Sequence, residues 1–419
     1  MICEIVCVGT EILLGDIVNT NAVYLSRKLA EMGISVLRQD VVGDNNERLT
    51  EMLRQALERS DIVITTGGLG PTADDITRDK CCEVMDSELV LNEKIRNQIE
   101  SYFVSKGLKM SESNIRQAYV PKDGIVFENN NGTAPGFAIE KNSKCIIALP
   151  GPPREMKPMF EEQARKVLEK YSDAVLVSHN IKMMGIGESA MAEKASDLLE
   201  NENPTAAPYA KDGECFLRIT ASGKNKADAE KKAEPVVKEV TERFKEYVYA
   251  VDEDNIETVL VKLLKKHNLK IALAESCTGG YAAKRITDIS GSSAVFDCGI
   301  VSYSNEIKNK ILGVNKDDLE KYGAVSEPVA KQMAEGVKKL SGADYAIGIT
   351  GIAGPLSDGT NKPVGLSYIA VSDGDTTECI EVMTGRKDRD YNRYVNASRA
   401  FDLARRKIIT RYEEQEEKQ

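Results

Sequence analysis

The stretch Leu269-Lys-Ile-Ala-Leu-Ala-Glu-Ser-Cys-Thr-Gly-Gly-Tyr-Ala-Ala-Lys-Arg-Ile286 reads as a short apolar strand, a tight turn and the start of a helix. A hydroxyl, Ser276, and a thiol, Cys277, sit side by side where the first N–H groups of a helix have no partner inside it. Such a position favours negative charge, so it suits an oxyanion or a carboxylate. Gly279 and Gly280 let the backbone approach a ligand closely. Taken alone, Ser276 or Thr278 serves equally well as a helix cap.

Working outward, 419 residues imply two or three domains. With 42% apolar residues and no Trp, the cores are expected to be aliphatic. A net charge of −10 argues against general binding to nucleic acid or an anionic membrane, while leaving room for a local basic pocket for a phosphate. The first residues, Met1 to Gly9, read as a strand rather than a signal peptide, and no uncharged apolar run approaches a membrane span. Nine cysteines without a Cys-x-x-Cys pair suit reduced thiols in a cytoplasmic protein, with Cys7, Cys145 and Cys298 as small hydrophobes. The two histidines, His179 and His267, argue against a histidine zinc site. A Ser-His-Asp triad would need His267, which falls at a helix end, on the far side of the strand from Ser276.

The first third alternates strands (2–8, 34–42, 61–65) with helices (21–32, 47–59), the pattern of a mostly parallel sheet covered on both faces. Residues 9–16 read as a loop. The third strand runs into Thr66-Gly-Gly-Leu-Gly-Pro-Thr-Ala-Asp-Asp75, where Gly67, Gly68 and Gly70 make a backbone cradle for an anion. Asp74 and Asp75 would repel a phosphate unless a divalent cation bridges them. One of them is expected to cap the following helix and the other to face the ligand. In Pro150-Gly-Pro-Pro-Arg154 the prolines fix a turn after a strand over 145–149. Arg154 reads either as part of that turn or as a phosphate ligand.

Together, Val8-Gly-Thr-Glu-Ile-Leu-Leu-Gly-Asp16, the Thr66–Asp75 segment, Asn131-Gly-Thr-Ala-Pro-Gly136 and Leu149-Pro-Gly-Pro-Pro-Arg-Glu-Met156 resemble the molybdopterin-binding-like domain of the CinA family. The resemblance covers residues 1–170 and implies a MoaB/MogA-like three-layer domain with a mostly parallel sheet. It also implies hydrolysis of ADP-ribose to AMP and ribose 5-phosphate with a divalent cation, Mg2+ or similar, at Asp74 and Asp75. Gly67, Gly68, Gly70, Thr72 and Arg154 would bind the substrate.

From Tyr171 the pattern changes. A strand over 174–184, the turn Gly185-Ile-Gly187, a helix to about Leu199, a strand over 214–221 and a charged helix over 227–247 follow. The family places a small KH-like α+β domain here, over 171–252. No Gly-x-x-Gly loop flanked by basic residues is present, so RNA binding does not follow; the segment reads as a spacer or dimerisation element. Asp252-Glu-Asp-Asn255 reads as a linker.

In the last third, a helix over 256–266 leads into the opening stretch. Tyr303-Ser-Asn-Glu, Gly323-Ala-Val-Ser-Glu-Pro-Val329 and Gly351-Ile-Ala-Gly-Pro355 follow at strand ends, and Thr384-Gly-Arg-Lys-Asp-Arg389 precedes a final helix. With Ala-Glu-Ser-Cys-Thr-Gly-Gly280, these resemble the C-terminal CinA domain, an α/β domain of PncC-type nicotinamide mononucleotide deamidases, over 255–412. The resemblance implies a serine nucleophile paired with a lysine, here Ser276 and Lys308. Tyr303 and Thr350 would lie near the reacting amide, and Thr278, Gly279, Gly280 and Gly351 in the substrate pocket. The phosphate arginine falls on Arg389, with Arg386 or Arg393 as alternatives because Arg386 lies in an insertion. No metal is implied at this site.

The chemistry is coherent. A serine hydroxyl needs a base, and a lysine serves when burial lowers its pKa. Tyr303 would relay a proton or orient Lys308, and the helix start would supply oxyanion donors. Cys277 stays open as a rival nucleophile. The resemblance therefore implies a homodimer, as in the family, and a bifunctional hydrolase of nicotinamide mononucleotide and ADP-ribose. Its alternatives are a non-catalytic nucleotide- or pterin-binding scaffold linked to competence or DNA damage, and a molybdopterin-handling enzyme.

Overall fold

The computed structural model describes residues 1–171, 175–253, 255–357 and 359–416. Ala174, where a strand was expected to begin, and Asp254, inside the expected linker, lie outside the described residues. The chain divides into two compact units, Met1–Ser178 with Ala221–Ala233, and His179–Thr220 with Glu234–Gln419.

In the first unit, β1 (Ile2–Val8), β2 (Ser35–Val42) and β3 (Ile62–Thr66) alternate with helices Thr20–Glu31 and Asn46–Arg59. A two-stranded ribbon, β4 (Leu89–Leu91) with β5 (Tyr119–Pro121), precedes β6 (Ile125–Phe127), β7 (Gly136–Lys141) and β8 (Lys144–Leu149). The main sheet runs β2-β1-β3-β8-β7-β6, parallel across its first four strands and antiparallel at the β8-β7-β6 edge. All five residues of β3 are buried, as a central parallel strand requires. Leu25, Leu29, Met156 and Phe160 cover one face, and Leu49, Leu53, Cys81 and Cys82 the other, giving three layers. Residues 9–16 are not all loop: Thr10–Leu14 forms a short helix closed by Gly15 at φ 78°. Neither Asp74 nor Asp75 caps the helix Thr77–Val84, whose N-cap is Ile76 without a side-chain bond.

Next in the chain comes a four-stranded sheet in the order β10-β11-β9-β12, from β9 (Val175–Met183), β10 (Thr205–Lys211), β11 (Glu214–Gly223) and β12 (Val248–Val251). The charged helix ends at Arg243, short of the expected Tyr247, because the chain turns there so that Val248 can pair with Met183. Phe244 and Val240 from the end of this segment pack on Ile181, Leu217 and Ile219.

The C-terminal sheet has the order β14-β13-β15-β16-β17, built from β13 (Ile271–Glu275), β14 (Phe296–Val301), β15 (Tyr345–Gly351), β16 (Leu366–Ser372) and β17 (Thr377–Met383). Strands β14, β13 and β15 are parallel, and β16 and β17 return antiparallel. Leu260, Leu264, Phe401 and Ile408 from helices Ile256–Lys266 and Arg389–Glu416 cover one face, and Leu319, Val329 and Met333 the other. The three parallel strands carry their C-terminal ends to one edge, the usual place for a site in an α/β sheet. All nine cysteines are unpaired. Among the described residues no helix is long and apolar enough to cross a membrane.

Candidate functional sites

At the end of β13 the Ser276 N–H donates to Ile349 O on β15 (2.9 Å), which anchors the turn to the sheet. The turn then needs left-handed backbone at Gly279 (φ 57°) and Gly280 (φ 88°), where a side chain would be strained. Lys308 reaches the turn from the helix Asn305–Leu312, whose N-cap Ser304 accepts from Ile307 N. Its side chain is 1% exposed. Lys308 Nζ lies 3.0 Å from Ser276 Oγ, 2.7 Å from Ser302 O and 3.2 Å from Tyr303 O. Burial pushes the amine from its ordinary 10.5 down to about 8. When neutral, its two N–H bonds satisfy the two carbonyls and its lone pair is left for the Ser276 hydroxyl.

Other expected roles are redistributed. The Tyr303 side chain is 63% exposed, and its hydroxyl accepts from Arg389 Nη2 (3.2 Å). The orienting contact on Lys308 therefore comes from the Tyr303 carbonyl, not its phenol. The helix start does not hold free oxyanion donors, because the Glu275 carboxylate occupies it. That carboxylate accepts from Gly280 N (3.0 Å), Ala282 N (3.1 Å) and Ala283 N (2.8 Å). Within the turn, Gly279 N and Tyr281 N go to Ser276 O and Thr278 O. The N–H groups of Cys277 and Thr278 are left, neither donating to another described residue. Glu275 was missed in the sequence, although a carboxylate just ahead of a helix start is a recognisable signal.

Thr350 is fully buried and its hydroxyl donates to Ala324 O (2.8 Å), tying down the loop before helix Glu327–Ser341. Gly351 is required by packing: a Cβ there would stand 2.1 Å from Ser367 Oγ. Thr278 offers its carbonyl to Arg393 Nε (3.0 Å) and Nη2 (2.8 Å), while its buried hydroxyl has no partner. Arg393 is thus committed to the nucleophile turn. Arg386 lies over the Tyr391 ring at 4.0 Å. Arg389, bonded to Gly354 O and Tyr303 Oη, is the arginine that joins the Gly351–Pro355 turn to the Tyr303 segment. Cys277 turns into the core against Asn396 Nδ2, and burial pushes its thiol up to about 11. His267 caps the helix Ile256–Lys266 beside Tyr412.

In the first unit a cavity of about 530 Å3 opens over the ends of β1, β3 and β8. Gly67, Gly68 and Gly70 line it with Asp74, Asp75 and the unforeseen Asn21 and Glu155. At Gly67 (φ 105°) a Cβ would fall 2.1 Å from Val8 O, so only glycine fits. Asn21 Nδ2 ties Thr66 Oγ1 (2.9 Å) to Gly151 O (2.7 Å), bracing the glycine loop against the proline turn. Thr72 does not line the cavity; its N–H and hydroxyl both donate to Asp75 Oδ2. Arg154 is also outside the lining, largely exposed beside Glu155. Asp74 is exposed, and hydrogen bonding to Thr72 holds its carboxyl below the usual range.

Among the described residues no three His, Cys, Asp or Glu side chains are grouped to hold a metal ion. Asp74 and Asp75 both line the cavity, with Asp75 Oδ2 accepting from Thr72, and two carboxylates are a donor set of the kind Mg2+ takes alongside phosphate oxygens and water.

Residues 4–170 match the family described as probable molybdopterin binding domain, 178–250 the damage-inducible protein CinA KH domain, and 253–408 the CinA C-terminal domain. A protein of Clostridium novyi (strain NT), whose name refers to competence and damage induction, is 50% identical over 411 residues, covering 98% of this chain and 99% of its own. A CinA-like protein of Kosmotoga olearia is 47% identical over 410 residues, covering 98% of this chain and 99% of its own. The crystal structure of a CinA protein of unknown function from Thermoplasma acidophilum aligns with a TM-score of 0.37 and 32% identity, over 40% of this chain and 99% of that one.

Proposed function

The chain belongs to the CinA family, and on that premise we propose that it is a bifunctional hydrolase of pyridine-nucleotide breakdown products. The C-terminal domain deamidates nicotinamide mononucleotide to nicotinate mononucleotide and ammonia. The observation that carries this reading is the buried Lys308 amine set 3.0 Å from the Ser276 hydroxyl.

Neutral Lys308 takes the Ser276 proton as Oγ attacks the carboxamide carbon, and the C=O pair moves to oxygen. The Cys277 and Thr278 N–H groups are the donors left to receive that oxyanion. Lys308 then gives its proton to the leaving nitrogen, and ammonia departs as the carbonyl reforms. Water, deprotonated by the same amine, attacks the acyl-serine and releases the carboxylate. Arg389, held by Gly354 O and Tyr303 Oη, is assigned the substrate phosphate through its remaining N–H groups.

In the N-terminal domain we assign hydrolysis of ADP-ribose to AMP and ribose 5-phosphate. The glycine cradle Gly67–Gly70 receives the pyrophosphate, and Asp74 and Asp75 would hold a divalent cation. When bound, that cation neutralises charge on the phosphate oxygens. The residues of the chain itself bind and orient: backbone at Gly67 and Gly68 approaches the phosphates, and Asn21 keeps the loop in place. The family relation also leads us to propose a cytoplasmic homodimer.

The test is to incubate purified protein with each substrate, with and without EDTA. Ammonia release indifferent to EDTA, together with AMP release abolished by it, supports both assignments. Inactivity on both substrates would favour a nucleotide-binding scaffold instead.

A further inference from the structure

A second ligand site is suggested in the unit that contains Ser276, away from the Ser276–Lys308 pair. A cavity of about 410 Å3 lies between the β10–β11 hairpin of the middle domain and the C-terminal helix, a volume within the range of about 300–1,000 Å3 for small-molecule sites. The hairpin contributes Lys211 and Glu214, and the other wall carries Glu381, Tyr391 and Arg399.

Arg399 is half-buried on the helix Arg389–Glu416, yet its guanidinium makes no hydrogen bond or ion pair with any described residue. The nearby carboxylate on its own helix, Asp402, is taken by Arg405 and Arg406. Partial burial lowers the Arg399 pKa from its ordinary value, but an arginine stays charged in a protein. Attraction to Asp402, which is shared with Arg405 and Arg406, only partly offsets that burial, and a bound anion would offset the rest. The backbone at Gly185 (φ 88°) passes close to this guanidinium: a Cβ there would stand 3.1 Å from Arg399 Nη1.

Two carboxylates in the lining narrow the class of anion. Glu214 accepts from Tyr249 Oη and Glu381 from Tyr368 Oη (2.7 Å), and neither pairs with Arg399. They disfavour a ligand that is anionic throughout and favour one with hydroxyl donors beside a single anionic group. Tyr391, Val395 and Met383 supply apolar wall. We propose that this cavity binds a mononucleotide, with its phosphate on Arg399 and Lys211 and its sugar hydroxyls directed to Glu214 and Glu381.

The chain contains no Trp, so Met383→Trp in the full-length protein places a single fluorescent reporter at the cavity wall. Titration with AMP should give a saturating change in emission, and adding Arg399→Gln should weaken the apparent affinity by at least about tenfold, as expected for loss of a charge-assisted contact. Equilibrium dialysis of AMP against the wild-type chain and Arg399→Gln, at free AMP near the half-saturation point of the emission titration, is independent of the reporter and should show clearly less AMP bound per chain in the variant. If Arg399→Gln fails to fold, Lys211→Glu on the exposed hairpin serves instead and should also weaken binding. No saturable emission change, or equal AMP bound by wild type and variant at that concentration, overturns the proposal. Both readouts are of binding alone, so they stand whether or not nicotinamide mononucleotide is hydrolysed.

Discussion

The Lys308 amine meets the Ser276 hydroxyl at 3.0 Å across the fold, from a helix that begins 29 residues beyond the serine. It is fully enclosed, with a pKa lowered by burial to about 8. The neutral amine is the form that accepts the serine proton. Ammonia release from nicotinamide mononucleotide at low substrate should therefore rise with pH through about 8 and level off above it. A rate that is flat from pH 6 to 10 would remove Lys308 from the role of base.

The same burial links activity to stability. Because the folded pKa lies below the unfolded value, the cost of enclosing the charged amine is present in full below pH about 8. Between about 8 and 10.5 the unfolded chain holds a proton that the folded one lacks, so stability rises with pH and the cost disappears above that window. Lys308→Met should abolish deamidation and remove the rise of stability between pH about 8 and 10.5, whatever the cost of leaving the Ser302 and Tyr303 carbonyls unpaired. Denaturant melts of wild type and variant across that window should show the rise in the first and not in the second.

Cys277 is enclosed against Asn396 with its thiol raised to about 11, so it is held as a neutral core group. Cys277→Ala should keep turnover within about threefold, since only a small buried group is removed. Ser276→Ala should lose on the order of 10^4-fold or more. Steady-state rates of the two variants decide between the neighbours, and the reverse pattern would shift the nucleophile to sulfur.

Arg393 and Arg389 should separate in kinetics. Arg393 grips the Thr278 carbonyl with two N–H groups, so Arg393→Lys should loosen the nucleophile turn and lower kcat by about 10–100-fold. Arg389→Gln should chiefly raise KM for nicotinamide mononucleotide, by about tenfold or more. Equal effects on both parameters in both variants would argue that neither residue has the distinct place assigned to it.

At Gly67 the positive φ and the 2.1 Å approach to Val8 O leave no space for a methyl group. Gly67→Ala should abolish AMP release from ADP-ribose and leave ammonia release unchanged. Parallel assays on one preparation test this, and a joint loss would mean that the two activities share one site.

Much of the fold was legible because it rests on local periodicity. The buried run Ile62–Thr66, the apolar spacing of Leu25 and Leu29, and the glycines at 67, 68, 279 and 280 each announce their backbone state without any distant contact. The strand Val248–Val251 was not legible, since four residues carry too little pattern and its pairing with Met183 closes from 65 residues away. Asn21, which bridges Thr66 to Gly151, gives no sign of its role in its own helix.

At the candidate deamidase site the sequence by itself determined the residue types: a serine in a glycine turn, too few histidines for a triad, and a lysine after Tyr-Ser-Asn-Glu. Only the tertiary structure decided how they are used. It enclosed Lys308 and directed the Tyr303 phenol to Arg389. It also gave the helix start to Glu275 and turned Cys277 into the core. The reason is physical. Residue identity fixes which protons and charges are available, but desolvation and the direction of each side chain come from packing between segments far apart in the chain, and those two quantities set pKa and reach.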